Sequence, residues 1–150
     1  MKKILVSIIF LIVIAIAYWL ISPIWRVKQV NDVVPSSVVN TNAQKNTETK
    51  MPSGSFMKSA HDVSGTASVI DTGTEKILRF ENFETINGPD LRIYLATDNT
   101  SKEYIDLGTI KGTKGNINYI IPPNTDLKKY SHVLVWCRSF SVLFSEAVLK

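Results

Sequence analysis

Beyond Phe56 the side chains alternate with a period of two, and that pattern constrains the fold of this 150-residue chain more tightly than any other feature. Successive side chains of a strand point to opposite faces, so alternation of this kind marks strands with one face in a core. Val63, Gly65, Ala67 and Val69 alternate with Ser64, Thr66 and Ser68, and Leu91, Ile93 and Leu95 with Arg92 and Tyr94. Ile117, Tyr119 and Ile121 alternate with Asn116 and Asn118, and Val142, Phe144 and Val148 with Ser141, Ser145 and Ala147. Residues 75–83, 104–107 and 132–138 bring the total to about seven β-type runs. Turn-forming clusters separate them: Asp71-Thr72-Gly73, Asn87-Gly88-Pro89-Asp90, Asp98-Asn99-Thr100, Lys111-Gly112-Thr113-Lys114-Gly115 and Pro122-Pro123-Asn124. Only residues 125–130 suggest a helical turn, capped by Asn124 or Thr125. So many short strands exceed one half-exposed sheet. The expectation is an all-β domain over residues 56–150, an antiparallel β-sandwich with Greek-key or jelly-roll connections.

The first 25 residues follow a different rule. Met1-Lys2-Lys3 precedes an apolar run from Ile4 to Ile21 whose only hydrophilic residue is Ser7. As a helix those 18 residues rise about 27 Å at ~1.5 Å each, close to the ~30 Å hydrocarbon core of a bilayer. Tyr18, Trp19 and Trp25 gather at the far end, where amphipathic rings favour the headgroup level. The run reads as one transmembrane helix. Ala15-Ile16-Ala17 also offers a signal-peptidase pattern, but it lies inside the apolar run. Lys2 and Lys3 place the N-terminus in the cytoplasm and the remainder outside it, in a single-pass cell-membrane arrangement. Residues 26–55, rich in Asn, Thr, Ser and Lys without a sustained period, read as a flexible polar stem.

The formal charge of +4 does not point to nucleic acid. Residues 58–150 carry eleven basic and eleven acidic side chains, so the excess belongs to the anchor and stem. Phosphate binding needs a dense basic face, which this domain lacks. Asn99-Thr100-Ser101 is a glycosylation acceptor in an expected loop, which fits an external location.

Cys137 is the only cysteine. It cannot form a disulfide within its own chain, so it is core packing, an intermolecular partner, or a reactive or ligating sulfur. Its strand is apolar on both faces, with Val133, Val135 and Cys137 on one and Leu134 and Trp136 on the other, the pattern of a covered central strand. That places the sulfur at least half out of solvent. Arg138 and His132 nearby would favour a thiolate, and burial would oppose it. Copper of the blue type wants two His, a Cys and an axial group, yet His132 lies five residues before Cys137 on the opposite strand face. Zinc and iron–sulfur sites need several cysteines or histidines, so copper, zinc and iron–sulfur are all disfavoured. Haem needs only one axial ligand, and Cys137, His61, His132, Met51 and Met57 are candidates, with Trp136 and Phe140 as pocket walls. No nucleophile elbow or metal-ligand spacing supports a turnover enzyme.

Four segments carry a family resemblance: His61-Asp62-Val63-Ser64-Gly65-Thr66, residues 77–83, Gly88-Pro89-Asp90-Leu91-Arg92-Ile93-Tyr94, and residues 135–144 with Trp136-Cys137-Arg138 at their start. Over about residues 56–149 the chain resembles the DM-thirteen domain. One departure stands out: Ser145-Glu146 follows Phe144 where the resemblance leads one to expect a glycine. The resemblance implies an extracellular β-domain with a redox or electron-transfer role. It also implies that Cys137 acts in redox chemistry or attaches a cofactor. The residues themselves leave haem or another redox group open, with His61 and Trp136 as the candidate cofactor contacts. The expectation is a membrane-tethered extracytoplasmic redox domain centred on Cys137, serving a redox or cell-surface protein partner. The alternative is a non-catalytic surface module that binds a protein or polymer, with Cys137 structural.

Overall fold

The computed structural model describes residues 2–21, 27–35 and 51–150. The bulk of the expected stem, residues 36–50, and Trp25 and Arg26 lie outside them. The helix α1 spans Lys2–Ile21. The side chains at 2, 5, 6 and 19–21 are outside the described set, and every described side chain of α1 is exposed. Among the described residues no helix is long and apolar enough to cross a membrane. The transmembrane character expected for this segment therefore rests on its sequence alone.

Nine strands follow: β1 Gln29–Asn31, β2 Ser53–Lys58, β3 Val63–Asp71, β4 Lys76–Thr85, β5 Leu91–Ala96, β6 Tyr104–Thr109, β7 Lys114–Ile121, β8 His132–Cys137 and β9 Val142–Val148. They form one sheet in the order β1-β7-β4-β3-β2-β9-β8-β5-β6. Every neighbouring pair is antiparallel except β1 with β7. Seven of these strands fall on the expected runs, while β1 and β2 lie where no strand was expected.

The expected pair of separate sheets is instead one continuous sheet, and β2 is the reason. Its Ser53, Gly54 and Ser55 pair with β3, whereas Phe56, Met57 and Lys58 pair with β9. The sheet curls along that strand, so its two halves share one core. Ala67, Val69, Leu78, Phe80, Ile117 and Tyr119 from one half meet Leu91, Ile93, Leu95, Val133, Val135 and Cys137 from the other. Phe56, at the point where β2 changes partner, has its ring centroid 4.9 Å from those of both Phe80 and Phe83. Burying an aromatic ring of this size contributes about 1.5–3 kcal/mol, which makes Phe56 an anchor for the curl.

The segment 125–130 makes the expected single helical turn, in which Tyr130 N donates to the Asp126 carbonyl at 2.8 Å. Its cap is Asp126, whose Oδ1 accepts from Lys128 N at 2.9 Å and Lys129 N at 3.3 Å, instead of Asn124 or Thr125.

Candidate functional site around Cys137

Strand β8 runs between β5 and β9, and its faces divide as the alternation predicts. Val133, Val135 and Cys137 enter the main core. Leu134 and Trp136 point to the outer face, beside Tyr94, Ala96 and Leu143. Cys137 is 0 % exposed, in keeping with the burial by at least half that its strand pattern implies. Its Sγ donates a hydrogen bond to the Pro89 carbonyl oxygen at 3.1 Å.

Pro89 belongs to the Gly88-Pro89-Asp90 turn, which is fastened to the end of β8 from both sides. Arg138 N donates to the Asp90 carbonyl at 3.1 Å. The Arg138 Nε donates to Asp90 Oδ2 at 2.6 Å, and Arg92 Nε donates to Asp90 Oδ1 at 3.0 Å. Arg92 also reaches Asp106, with Nη1 3.4 Å from Oδ2. Asp90 itself sits at φ 53°, a left-handed conformation that Asp tolerates better than most residues. Desolvation pushes the Asp90 carboxyl upward, but the hydrogen bonds and charges of Arg92 and Arg138 outweigh it and hold the group below the usual carboxylate value.

Other pieces of the sequence motif close the same end of the domain. The β8/β9 register shifts between Val135 and Trp136, leaving Phe144 without a cross-strand partner. Its free carbonyl accepts from Ser59 N at 3.2 Å and His61 N at 3.1 Å. The Phe144 ring turns inward, 4.1 Å from the His61 ring by centroids. A methyl group on Gly88 would come within 2.8 Å of that same ring, so the turn must carry glycine to approach it.

Of the expected site residues, Cys137 and His61 therefore lie at one end of the domain, joined through Phe144 and Gly88. Trp136 is on the outer face of the sheet, away from the sulfur. Phe140 is 70 % exposed and walls no pocket with it. His132 pairs through Nδ1 with Glu146 Oε2 at 3.2 Å, and Arg138 pairs with Asp90, so neither side chain is committed to the thiol. Met51 packs against the core, and Met57 is exposed. Asn99 is exposed in its loop.

Among the described residues no group of three His, Cys, Asp or Glu side chains could hold a metal ion. A cavity of about 400 Å³ is lined by Asp71, Glu75, Lys76, Ile120 and Pro122, and another of about 330 Å³ by Gln29, Asn31, Asn82, Glu84 and Lys114. Neither touches Cys137, His61 or Trp136. A haem or other group attached at Cys137 does not fit this arrangement: the sulfur is enclosed, and the Pro89 carbonyl occupies its hydrogen bond.

The Asp90 ion pairs were not legible as a site in the sequence. Gly88-Pro89-Asp90 reads as a turn and Arg138 as the end of a strand, and their meeting is a long-range contact. No curated protein and no solved structure matches the chain. A family model described as Electron transfer DM13 matches residues 55–149. That stretch includes Gly88-Pro89-Asp90, Cys137, Arg138 and Phe144 and spans well over half of the chain, which belongs to the DM13 electron-transfer family.

Proposed function

We propose that this chain is an extracytoplasmic electron-transfer domain tethered to the membrane by α1, with Cys137 as the group on which its redox role is centred. Membership of an electron-transfer family supports the redox part. The observation that carries Cys137 is the convergence around its sulfur: the Gly88-Pro89-Asp90 turn closes over it, and the adjacent Arg138 locks the turn through Asp90. A buried thiol cannot meet an oxidant, a partner's sulfur or a cofactor until that carbonyl moves aside. The turn is then a gate, and its two arginine pairs keep it shut.

The tether reading rests on the apolar run of α1, whose described side chains are exposed along its length. Apolar side chains left exposed along a helix need another apolar medium. Retention of the full chain in membranes after carbonate washing supports it, and release into the wash overturns it.

The redox assignment is tested on the full chain isolated from its own membranes. Reversible voltammetry that is lost in Cys137→Ser supports it. An electrochemically silent protein, unchanged by Cys137→Ser, overturns it.

Complete burial of Cys137 favours a second reading, a non-catalytic surface module that binds a protein or polymer. On that reading Cys137→Ser alters stability alone.

A further inference from the structure

Residues 27–35, which read as the start of a flexible stem, are seated along the edge of β7. Gln29, Val30 and Asn31 pair in parallel with Lys114, Gly115 and Asn116. Flanking bonds lengthen this short ladder. The Lys28 carbonyl accepts from Thr113 N at 2.8 Å, and Lys28 N donates to Thr113 Oγ1 at 3.0 Å. Asp32 N donates to the Asn116 carbonyl at 2.9 Å, and Asn118 N donates to Asp32 Oδ2 at 2.8 Å. Asn118 Nδ2 reaches the Val33 carbonyl at 2.9 Å.

Two features show that the domain surface is shaped for this segment. Arg79, only 3 % exposed, directs Nη1 to the Asp32 carbonyl at 3.3 Å while its Nε binds Glu81 at 2.9 Å. A buried guanidinium needs such acceptors, and without residues 32 and 33 it would lose part of its shell. The glycines of Lys111-Gly112-Thr113-Lys114-Gly115 also leave room. A methyl at Gly115 would sit 2.0 Å from the Val30 carbonyl oxygen, and one at Gly112 would sit 2.7 Å from Val30 Cγ2. A sequence that reads as a turn is the floor of a strand-accepting groove.

We propose that residues 27–35 are a latch that fastens the domain directly onto its anchor, a role that rests on the tether reading above. Only residues 22–28 then separate the end of α1 from β1. At ~3.3–3.6 Å per residue these seven residues reach at most about 25 Å. Residues 36–50 run between two seated strands, β1 and β2, so their length does not set the distance from the membrane. The domain is held at the bilayer surface and presents one edge to it, where a membrane-resident electron donor or acceptor is within reach.

The test compares two insertions of ten Gly/Ser residues in the full chain, reconstituted in liposomes that carry an acceptor dye. A donor dye is attached at Lys102→Cys, an exposed loop position, with the buried Cys137 left in place. Ten flexible residues by themselves span about 17 Å on average. An insertion after Ser22 is expected to lower energy transfer about twofold, and one after Thr41 to leave it unchanged. Equal losses from both insertions overturn the latch. Asn118→Ala or Gly115→Val should make the Thr41 insertion matter, and indifference to both variants also overturns it. Hydrogen exchange in detergent separates the two readings. Slow exchange at Asp32 and Asn118 in a chain that carbonate strips from membranes keeps the latch and removes the tether. Unprotected amides at those positions in a membrane-retained chain remove the latch alone.

Discussion

The Cys137 thiol and the Pro89 carbonyl oxygen lie 3.1 Å apart although 48 residues separate them in the chain. Strand β8 and the turn before β5 are thus one unit, and access to the sulfur depends on how firmly the turn is held. Asp90 holds it through charge-assisted bonds to Arg92 and Arg138, which are stronger than neutral ones. Asp90→Ala removes both. In the native protein Cys137 should react slowly with 4,4′-dithiodipyridine, and Asp90→Ala should speed that reaction about tenfold or more by raising the population of the open turn. Equal rates would show that the turn does not gate the thiol.

The same pair sets a pH dependence. The folded Asp90 carboxyl lies below its ordinary value, since its arginine hydrogen bonds and charges outweigh the desolvation that opposes them. A lowered carboxylate adds stability that is present above the unfolded value, about 3.9, and is lost as pH falls through the folded one. Cys137 accessibility should be flat from about pH 7 to about pH 5 and climb below about pH 4. Asp90→Asn should be more accessible throughout and lose this climb. Rates with the same acid-tolerant reagent across that range would measure both.

Gly88→Ala tests the steric side of the site. The added methyl meets the Phe144 ring at 2.8 Å and Leu91 Cδ2 at 3.2 Å, and neither neighbour is a flexible chain end free to swing away. Overpacking of this kind costs about 1–3 kcal/mol. A lower urea midpoint is expected, and Phe144→Leu in the same chain should restore part of it by freeing the space. Failure of that rescue would mean the cost comes from the backbone of the turn.

How much of this was written in the sequence differs from element to element. The faces of β8 were legible because Val133, Val135 and Cys137 alternate with Leu134 and Trp136, and alternation is a local property. β1 was not, because a strand of Gln29-Val30-Asn31 has too few residues for a period and draws its stability from Arg79, Asn118 and the groove beneath it. The single sheet was hidden for a related reason. Nothing local in Ser53–Lys58 says that its first half bonds β3 and its second half β9. At the site, the turn and the cysteine could each be named, but the bond between Cys137 and Pro89 and the Asp90–Arg138 pair exist only once β5 and β8 are neighbours.

Ser145 marks a place where the sequence departs from what the family resemblance leads one to expect, and the structure gives the departure a cost. It lies opposite Val135 in the β8/β9 ladder and is 0 % exposed. Its Oγ is the buried side-chain polar atom without a hydrogen-bond partner among the described residues. Leaving a hydroxyl buried and unbonded costs about 1–3 kcal/mol, whereas a methyl at the same position has no such demand. Ser145→Ala is therefore expected to raise stability by about 1 kcal/mol, seen as a higher urea midpoint with an unchanged slope. Ser145→Gly should gain less, because glycine inside a strand costs about 0.5–1 kcal/mol relative to alanine. A destabilised Ser145→Ala would mean that the hydroxyl finds a partner in solution, which would make the middle of β9 a polar contact point beside the core instead of a packing defect.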